Sequence, residues 1–413
     1  PQATEAVGAM TETKAEVLAA RAVTIPAGLE NGRYFLGVRL AHGGVHAESD
    51  LTNNFVSAAI NVGGDPTSLF CPTSETGAYT DLREAIVNTV AGGTVFVCDG
   101  THDVDTVVID KPLTLTSQNR GGNAWLGDVD QSAQGTQGGR AAIIIDGYTE
   151  GTVRIEDLGF RMKGRAVQVG RPTVSLDEGA TWVHPGRWTH VEIHSARFLG
   201  RNSDFGIGVQ VWQNGAGVGR IDITNSHFDA LGIGVFVTSH SEANVSHSTF
   251  ENFTAGSVTY SGFTGGGGAG GADWKVAFGR VEDNTIRNCG VAGCMRMVLM
   301  ANGTIARNTI QAGNQSTHAF GILVRRPPET PHARQSITIE DNVISGGAFG
   351  EGWAVGNGIQ FEDAPGVTSV IRRNQIFGSN IGMSLIGSAQ VSDNKITGGE
   401  FGFNQSNHGW ELG

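Results

Sequence analysis

The chain has 413 residues, enough for one large core or two to three domains, and its 28 Lys+Arg against 40 Asp+Glu give a formal net charge of −12. Such a surface repels nucleic acid and anionic lipid, and no apolar run reaches the length of about 18 residues that a membrane-spanning helix needs. Its 62 glycines follow no Gly-X-Y period, and with only 11 prolines and 16% charged residues neither collagen nor wholesale disorder fits.

Residues 1–63 come first. EVLAARAVTI (16–25), GRYFLGVRLA (32–41) and FVSAAINV (55–62) alternate as strands, with Tyr34, Leu36, Val38 and Leu40 on one face. The stretch GRYFLGVRLAHGGVHAESDLTNN (32–54) resembles the C-terminal half of the bacterial cell-adhesion-related (CARDB-like) β-sandwich domain. Tyr34 to Gly37 match that family's Tyr-x-Leu-Gly strand, and Glu48 to Asn54 match its acidic turn ending in Asn-Asn. An immunoglobulin-like sandwich takes about seven strands and about 100 residues, so about half is present. The sequence is then a processed or truncated product, or a neighbour supplies the missing strands, or the segment is a rearranged small fold.

Residues 64–92 read as linker and helix. TDLREAIVNTV (80–90) is amphipathic, with Thr80 or Asp81 as its N-cap. Cys71 before the helix and Cys98 after it are candidates for a staple. Cys289 and Cys294 bracket a tight Cys-Gly-Val-Ala-Gly-Cys loop and form a second candidate pair; four buried free thiols are the alternative. No CxxC pair supports a zinc site.

From residue 93 to 413 the chain repeats itself. VEDNTI (281–286), IARNTI (305–310), IEDNVI (339–344), IRRNQI (371–376) and VSDNKI (391–396) share one template, placing Asn284, Asn308, Asn342, Asn374 and Asn394 at equivalent positions. Looser copies are IEDLGF (155–160), IHSARF (193–198), ITNSHF (223–228) and VSHSTF (245–250). A second template alternates with the first: GIGVQV (206–211), GIGVFV (232–237), GILV (321–324), GIQF (358–361), GMSL (382–385) and GFNQ (402–405). Strands this short need a partner on each side, which stacking rung on rung supplies. The asparagines are expected at sharp corners, in left-handed backbone, with their amides bonding along the stack.

These repeats resemble the right-handed parallel β-helix superfamily, which includes pectate lyases, alginate epimerases and many bacterial surface proteins. GTVFVCDGTHDVDTVVIDKPLTLTS (93–117) resembles its opening rungs. The resemblance implies an all-β fold: a right-handed parallel β-helix with a short N-terminal capping helix over its open end, preceded by the partial immunoglobulin-like sandwich.

The same resemblance locates catalysis, where there is any, on the outside of the Gly-Ile-x-Val sheet. Alternation puts Gln210, Trp212, Arg296, Arg325 and Glu362 there, with Arg326 and Asp363 in the turns. GILVRR and GIQFED align Arg325 one rung from Glu362 and Arg326 one rung from Asp363. A guanidinium beside a carboxylate binds and neutralises a uronate while a carboxylate acts as base. Arg325, Glu362 and Asp363 are therefore the catalytic candidates, and Trp212, Trp353, His318 and Arg326 the ligand-binding ones; surface salt bridges along a ladder are the bland alternative. A second outward stripe on the Asn-bearing sheet holds Glu192, His194, Arg197, Asp222 and His227, residues that a solvated strand face carries anyway. The Asp-Pro-His arrangement of alginate epimerases and the paired aspartates of polygalacturonases have no counterpart, and no nucleotide fingerprint or HExxH occurs.

The expected function is a secreted or cell-surface structural or adhesive protein. It is a candidate subunit of an extracellular assembly or filament, formed through incomplete sandwich strands and a stack that ends without an evident C-terminal cap. Its partners would be other copies of itself or neighbouring surface modules, with polysaccharide as a candidate ligand and no nucleic acid. The alternative is a polysaccharide-active enzyme (lyase, epimerase or glycosidase) or a non-catalytic glycan-binding module. No cofactor is expected, with loop calcium left open.

Overall fold

The computed structural model describes residues 32–39, 55–73, 77–127, 141–146, 149–162, 164–170, 174–175, 182–183, 188–200, 206–211, 219–238, 241–253, 256–261, 277–289, 293–298, 300–312, 320–325, 336–345, 356–362, 369–387, 389–398 and 401–406. The chain divides into two units, Pro1–Gly64 and Asp65–Gly413. In the first, Gly32–Arg39 and Phe55–Val62 pair antiparallel, from Gly32 opposite Val62 to Arg39 opposite Phe55. The strand expected at 16–25 lies outside the described residues.

The second unit is a coil of parallel strands in three sheets. A 12-stranded sheet runs from Asp65–Phe70 to Ala389–Ser392; two 11-stranded sheets run from Gly100–His102 to Lys395–Thr397 and from Val107–Ile109 to Phe401–Ser406. One turn illustrates the plan. Ala277–Glu282 lies in the first sheet, Asp283 and Asn284 make the corner, Thr285–Cys289 lies in the second sheet, and Met295–Val298 in the third. Equivalent strands stack in register, as in Val281 beside Ile305 and Ile305 beside Ile339. Each inward side chain therefore lies over its equivalent in the turn before, and the apolar column is continuous.

The first sheet starts before the helix, because Asp65–Phe70 pairs parallel with Thr89–Val97. Between them runs the helix Leu82–Asn88. Asp81 caps it, its carboxylate accepting from the Arg83 N–H at 2.7 Å. Leu82, Ala85 and Ile86 enter the same apolar cluster as Val95, Val97 and Val107. At the negative end of the helix, the buried Lys111 ammonium donates to the carbonyls of Val87 and Thr89. Disulfides join Cys71 to Cys98 and Cys289 to Cys294. The first ties the strand ahead of the helix to the strand after it; the second closes the passage from the second sheet to the third.

The corner chemistry differs from expectation in one respect. The left-handed residue is the one before each asparagine: Asp283 (φ 57°), Arg307 (54°), Asp341 (56°), Arg373 (55°) and Asp393 (55°). That frees the asparagine to turn its side chain inward. Asn308 Nδ2 donates to Asn342 Oδ1 at 3.0 Å and to the Val281 carbonyl at 2.8 Å, while its own Oδ1 accepts from both the backbone N–H and Nδ2 of Asn284. The pattern repeats from Asn284 to Asn394, with amide-to-amide distances of 2.9–3.0 Å. Upstream the ladder continues in hydroxyls, since Ser248 Oγ accepts from the Ser226 N–H and Ser226 Oγ from the Ala196 N–H. An amide is both donor and acceptor, so it meets the interior's demand for paired polar groups at every turn.

Two residues further on, Phe160, Phe198, Phe228 and Phe250 stack with ring centroids 5.2, 4.5 and 4.6 Å apart. Where the asparagines begin, this column changes to Ile286, Ile310, Ile344 and Ile376, all buried. The glycines of the second template face it. A Cβ on Gly208 would lie 2.8 Å from the Phe228 ring, and one on Gly358 would lie 2.4 Å from Ile376 Cγ2. The template is thus Gly-Ile-x-Val because the neighbouring sheet occupies the space of a side chain.

Candidate functional site

The third sheet places Arg325 beside Glu362 in parallel register. The side chain of Arg325 lies outside the described residues, as do Arg326, Asp363, Trp212, Trp353 and His318 entirely. Glu362 ends a relay along its own strand: Asn357 Nδ2 donates to Gln360 Oε1 at 2.8 Å, and Gln360 Nε2 to Glu362 Oε1. Arg296 is exposed two strands from Gln360, with Leu323 between. Gln210, expected on an open face, is instead 2% exposed. Beside it in register, Gln168 Oε1 accepts from Arg165 and its Nε2 donates to the Gly170 carbonyl. Burial lowers the pKa of Arg165 from its ordinary value.

The second stripe divides at the corner. Glu192, His194 and Asp222 stand on the first sheet; Arg197 and His227 stand side by side on the second. The corner at Ser195–Ala196 and Asn225–Ser226 separates the two groups, so they share no face. On the first sheet the centre is Asp222. His190 Nε2 is 2.7 Å from its Oδ2, Arg220 Nε donates to Oδ1 at 3.0 Å, and Asn244 Nδ2 donates to Oδ1 at 2.9 Å. Burial pushes the Asp222 carboxyl upward, but the hydrogen bonds from Asn244, His190 and Arg220 outweigh it and hold the pKa below the usual carboxylate value. Glu192 meets Arg154 across the preceding turn. A cavity of about 430 Å³ opens on this face over Asn244 and Ser246.

His190, Arg220, Asn244 and Arg280 were not picked out by sequence. Their signal is the alternation in THVEIH, GRIDIT, SEANVS and AFGRVE, which marks them as outward without saying what lies beside them. Trp125 was missed as well. Its indole lies over Gly159, with the guanidinium carbons of Arg161 and Arg197 4.6 and 4.7 Å from the ring centroid.

The left-handed corner residues form a charged column of alternating sign: Asp283, Arg307, Asp341, Arg373 and Asp393. Arg307 grips Asp283 with two hydrogen bonds at 2.8 and 2.9 Å and reaches Glu282 at 3.0 Å. Arg373 does the same to Asp341 and Glu340. The hydrogen bond from Arg307 holds Asp283 below the ordinary carboxylate range, opposed by a smaller desolvation effect, with the charges of Arg307 and His247 adding to the lowering. A depressed folded-state pKa stabilises above the unfolded pKa of about 3.9, and that contribution is lost as pH falls through the folded value. Arg307→Ala is therefore expected to cost less than about 1 kcal/mol near neutral pH, after solvent screening. The difference from wild type should persist down to about pH 4 and vanish below it, read from denaturant midpoints across pH.

Among the described residues no group of three or more His, Cys, Asp or Glu is arranged to hold a metal ion, and no helix is long and apolar enough to cross a membrane. The loops that raised the question of calcium lie largely outside the described residues.

Three stacked parallel sheets and a continuous inward column define a protein of the parallel β-helix class. Residues 207–409 match the family model of the right handed beta helix region, and this match and the sheets together support placement in the right-handed parallel β-helix superfamily. Among solved structures the chain is similar to PfbA, a surface adhesin of Streptococcus pneumoniae, at 14% identity over 76% of this chain and 85% of that one, with a TM-score of 0.44. It is similar to the GH136 lacto-N-biosidase from Eubacterium ramulus at 10% identity over 80% and 67%, with a TM-score of 0.45. It is also similar to the family 28 exopolygalacturonase of Yersinia enterocolitica at 11% identity over 87% and 81%, with a TM-score of 0.33. No curated protein matches the chain. At these identities and scores the likenesses carry no argument about activity.

Proposed function

We propose that the chain is an exported structural or adhesive β-helix protein of the cell surface or its surroundings, whose outer faces bind rather than react. One observation carries this reading. The outward carboxylates Asp222, Asp283 and Asp341 are each held by guanidinium or amide donors at 2.8–3.0 Å, which pulls each below the ordinary carboxylate pKa. Acid-assisted cleavage of a glycosidic bond instead needs a carboxyl raised enough to keep its proton. Two disulfides suit an oxidising compartment. In this reading the helix Leu82–Asn88 shields the first turn of the stack. Residues 1–63 are an adhesion-type sandwich segment through which copies or neighbouring modules join by strand pairing.

The rival reading is a lyase, epimerase or glycosidase using Glu362 beside Arg325, favoured by the Asn357–Gln360–Glu362 relay that would orient the carboxylate. A panel of acidic and neutral polysaccharides incubated with the protein separates the two. The adhesive reading expects no new unsaturated or reducing ends. Turnover that disappears in Glu362→Gln overturns it.

A further inference from the structure

We propose that the outer face of the first sheet carries a binding site for a neutral sugar ring, centred on Asn244 and Ser246 and gripped by Arg280. The inference deepens the adhesive reading above by naming what one of its surfaces holds, and it uses a different sheet from the one that bears Glu362.

The cavity of about 430 Å³ is lined by side chains of three consecutive turns, including Arg220, Asp222, Glu242, Asn244, Arg280 and Glu282. It arises because the middle strand, Ser241–Ser246, presents the short Asn244 and Ser246 beside the equally short Asp222 and Thr224 on one side, while the long Arg280 and Glu282 wall the other. Asn244 lies in register between Asp222 and Arg280, and Ser246 between Thr224 and Glu282. The two flanking strands are two steps apart, about 10 Å, which leaves room for one ring between their side chains. The volume falls in the range of small-molecule sites, about 300–1,000 Å³.

Its floor is fixed. Asn244 Oδ1 accepts the Arg280 backbone N–H at 3.1 Å, and Asn244 Nδ2 is committed to Asp222. The walls are not all committed. The exposed Arg280 guanidinium has no ion pair or side-chain hydrogen bond with any described residue. Among the described residues Glu242 has only a long contact of 3.5 Å from Asn244, and Glu282 uses Oε2 for Arg307. Donors and acceptors therefore face one another across a short gap.

Charge decides the ligand class. Arg220 is neutralised by Asp222, and Arg307 is shared between Glu282 and Asp283. Arg280 therefore faces the carboxylates of Glu242 and of the half-shared Glu282 across the cavity. A sulfate or phosphate would meet Glu242 and a cation would meet Arg280, whereas a sugar's hydroxyls donate to the carboxylates and accept from the guanidinium at once. Among the described side chains no aromatic ring lines the cavity, and the polar contacts described set an expected single-ring affinity in the millimolar range.

The test is ligand-observed NMR on the full chain with three probes: methyl glucoside, methyl galactoside and N-acetylglucosamine. Saturable millimolar binding of at least one is expected, weakened roughly tenfold or more by Arg280→Ala and abolished by Ser246→Leu, which fills the floor. Glu362→Gln should leave it unchanged, and sodium sulfate should not displace the sugar. Circular dichroism confirms that each variant keeps its sheet content; Arg280 is exposed, so that variant remains informative if Ser246→Leu does not fold. The inference is overturned if none of the three probes binds, or if Arg280→Ala binds as wild type does. Displacement by sulfate equally overturns the neutral ligand class. Binding lost in Glu362→Gln but kept in Arg280→Ala moves the ligand to the third sheet and overturns this site while leaving the adhesive reading standing.

Discussion

Replacing Asn342 with leucine is expected to destabilise the coil by about 3–5 kcal/mol, although leucine keeps asparagine's branching and number of side-chain heavy atoms. Asn342 Oδ1 is the acceptor for both the backbone N–H and the Nδ2 of Asn308, and its Nδ2 donates to the Ile305 carbonyl and to Asn374 Oδ1. The substitution leaves two Asn308 donors without a partner where Asn308 is 1% exposed. Each orphaned buried group costs about 1–3 kcal/mol. Asn394→Leu likewise removes the acceptor of two donors of the buried Asn374, but position 394 is itself only partly buried, so water reaching it can replace part of the lost acceptor. Its cost should be nearer about 1 kcal/mol. Denaturant midpoints of the two variants, with unchanged slopes, check the contrast; equal losses would mean that the amides act through shape alone.

Phe228→Ala should cost about 3–5 kcal/mol. Its ring lies between Phe198 and Phe250 at 4.5 and 4.6 Å and is fully buried, and Gly208 presses against its edge from the third sheet. Relaxation is limited because the backbone on either side is held by parallel pairing, Phe198 to Phe228 and Phe228 to Phe250. The hole therefore stays open and the transfer and cavity effects add. The double variant Phe198→Ala/Phe228→Ala should lose less than the sum of the singles, because the second substitution removes a ring that has already lost its neighbour. Thermal unfolding of the three proteins measures this directly.

The Asn-x-Ile corner was legible in the sequence because its chemistry demands the same residue every time. An amide ladder works only if each turn contributes an amide, so five copies stand out despite unequal spacing. The left-handed position beside it was not legible. Asp283 and Arg307 share a backbone geometry but carry opposite charges, and upstream the position holds Asp157, Ser195, Asn225 and His247, so no single residue type marks it, and the expectation moved the strained φ onto the conspicuous neighbour. The second polar stripe failed for a related reason. Alternation reports inward or outward within a strand, but a two-residue corner carries the chain onto a new face without announcing itself. Arg197 and His227 were thus grouped with Glu192 and Asp222. The neighbours of Asp222 depend on register between strands separated by 22 and 32 residues, and unequal repeats hide that register until the strands are laid side by side. Most of the third-sheet candidates, Arg326, Asp363, Trp212, Trp353 and His318, fall on residues outside the description.

The charged corner column bears on how such a protein grows or shrinks by duplication. The asparagine rungs are indifferent to count, since any amide fits any other. The corner beside them keeps parity: excising the turn that holds Arg307 would bring Asp283 against Asp341, like against like. Whole turns should therefore be gained or lost most easily in twos in this part of the coil, and an odd deletion should need a compensating change of sign at one corner.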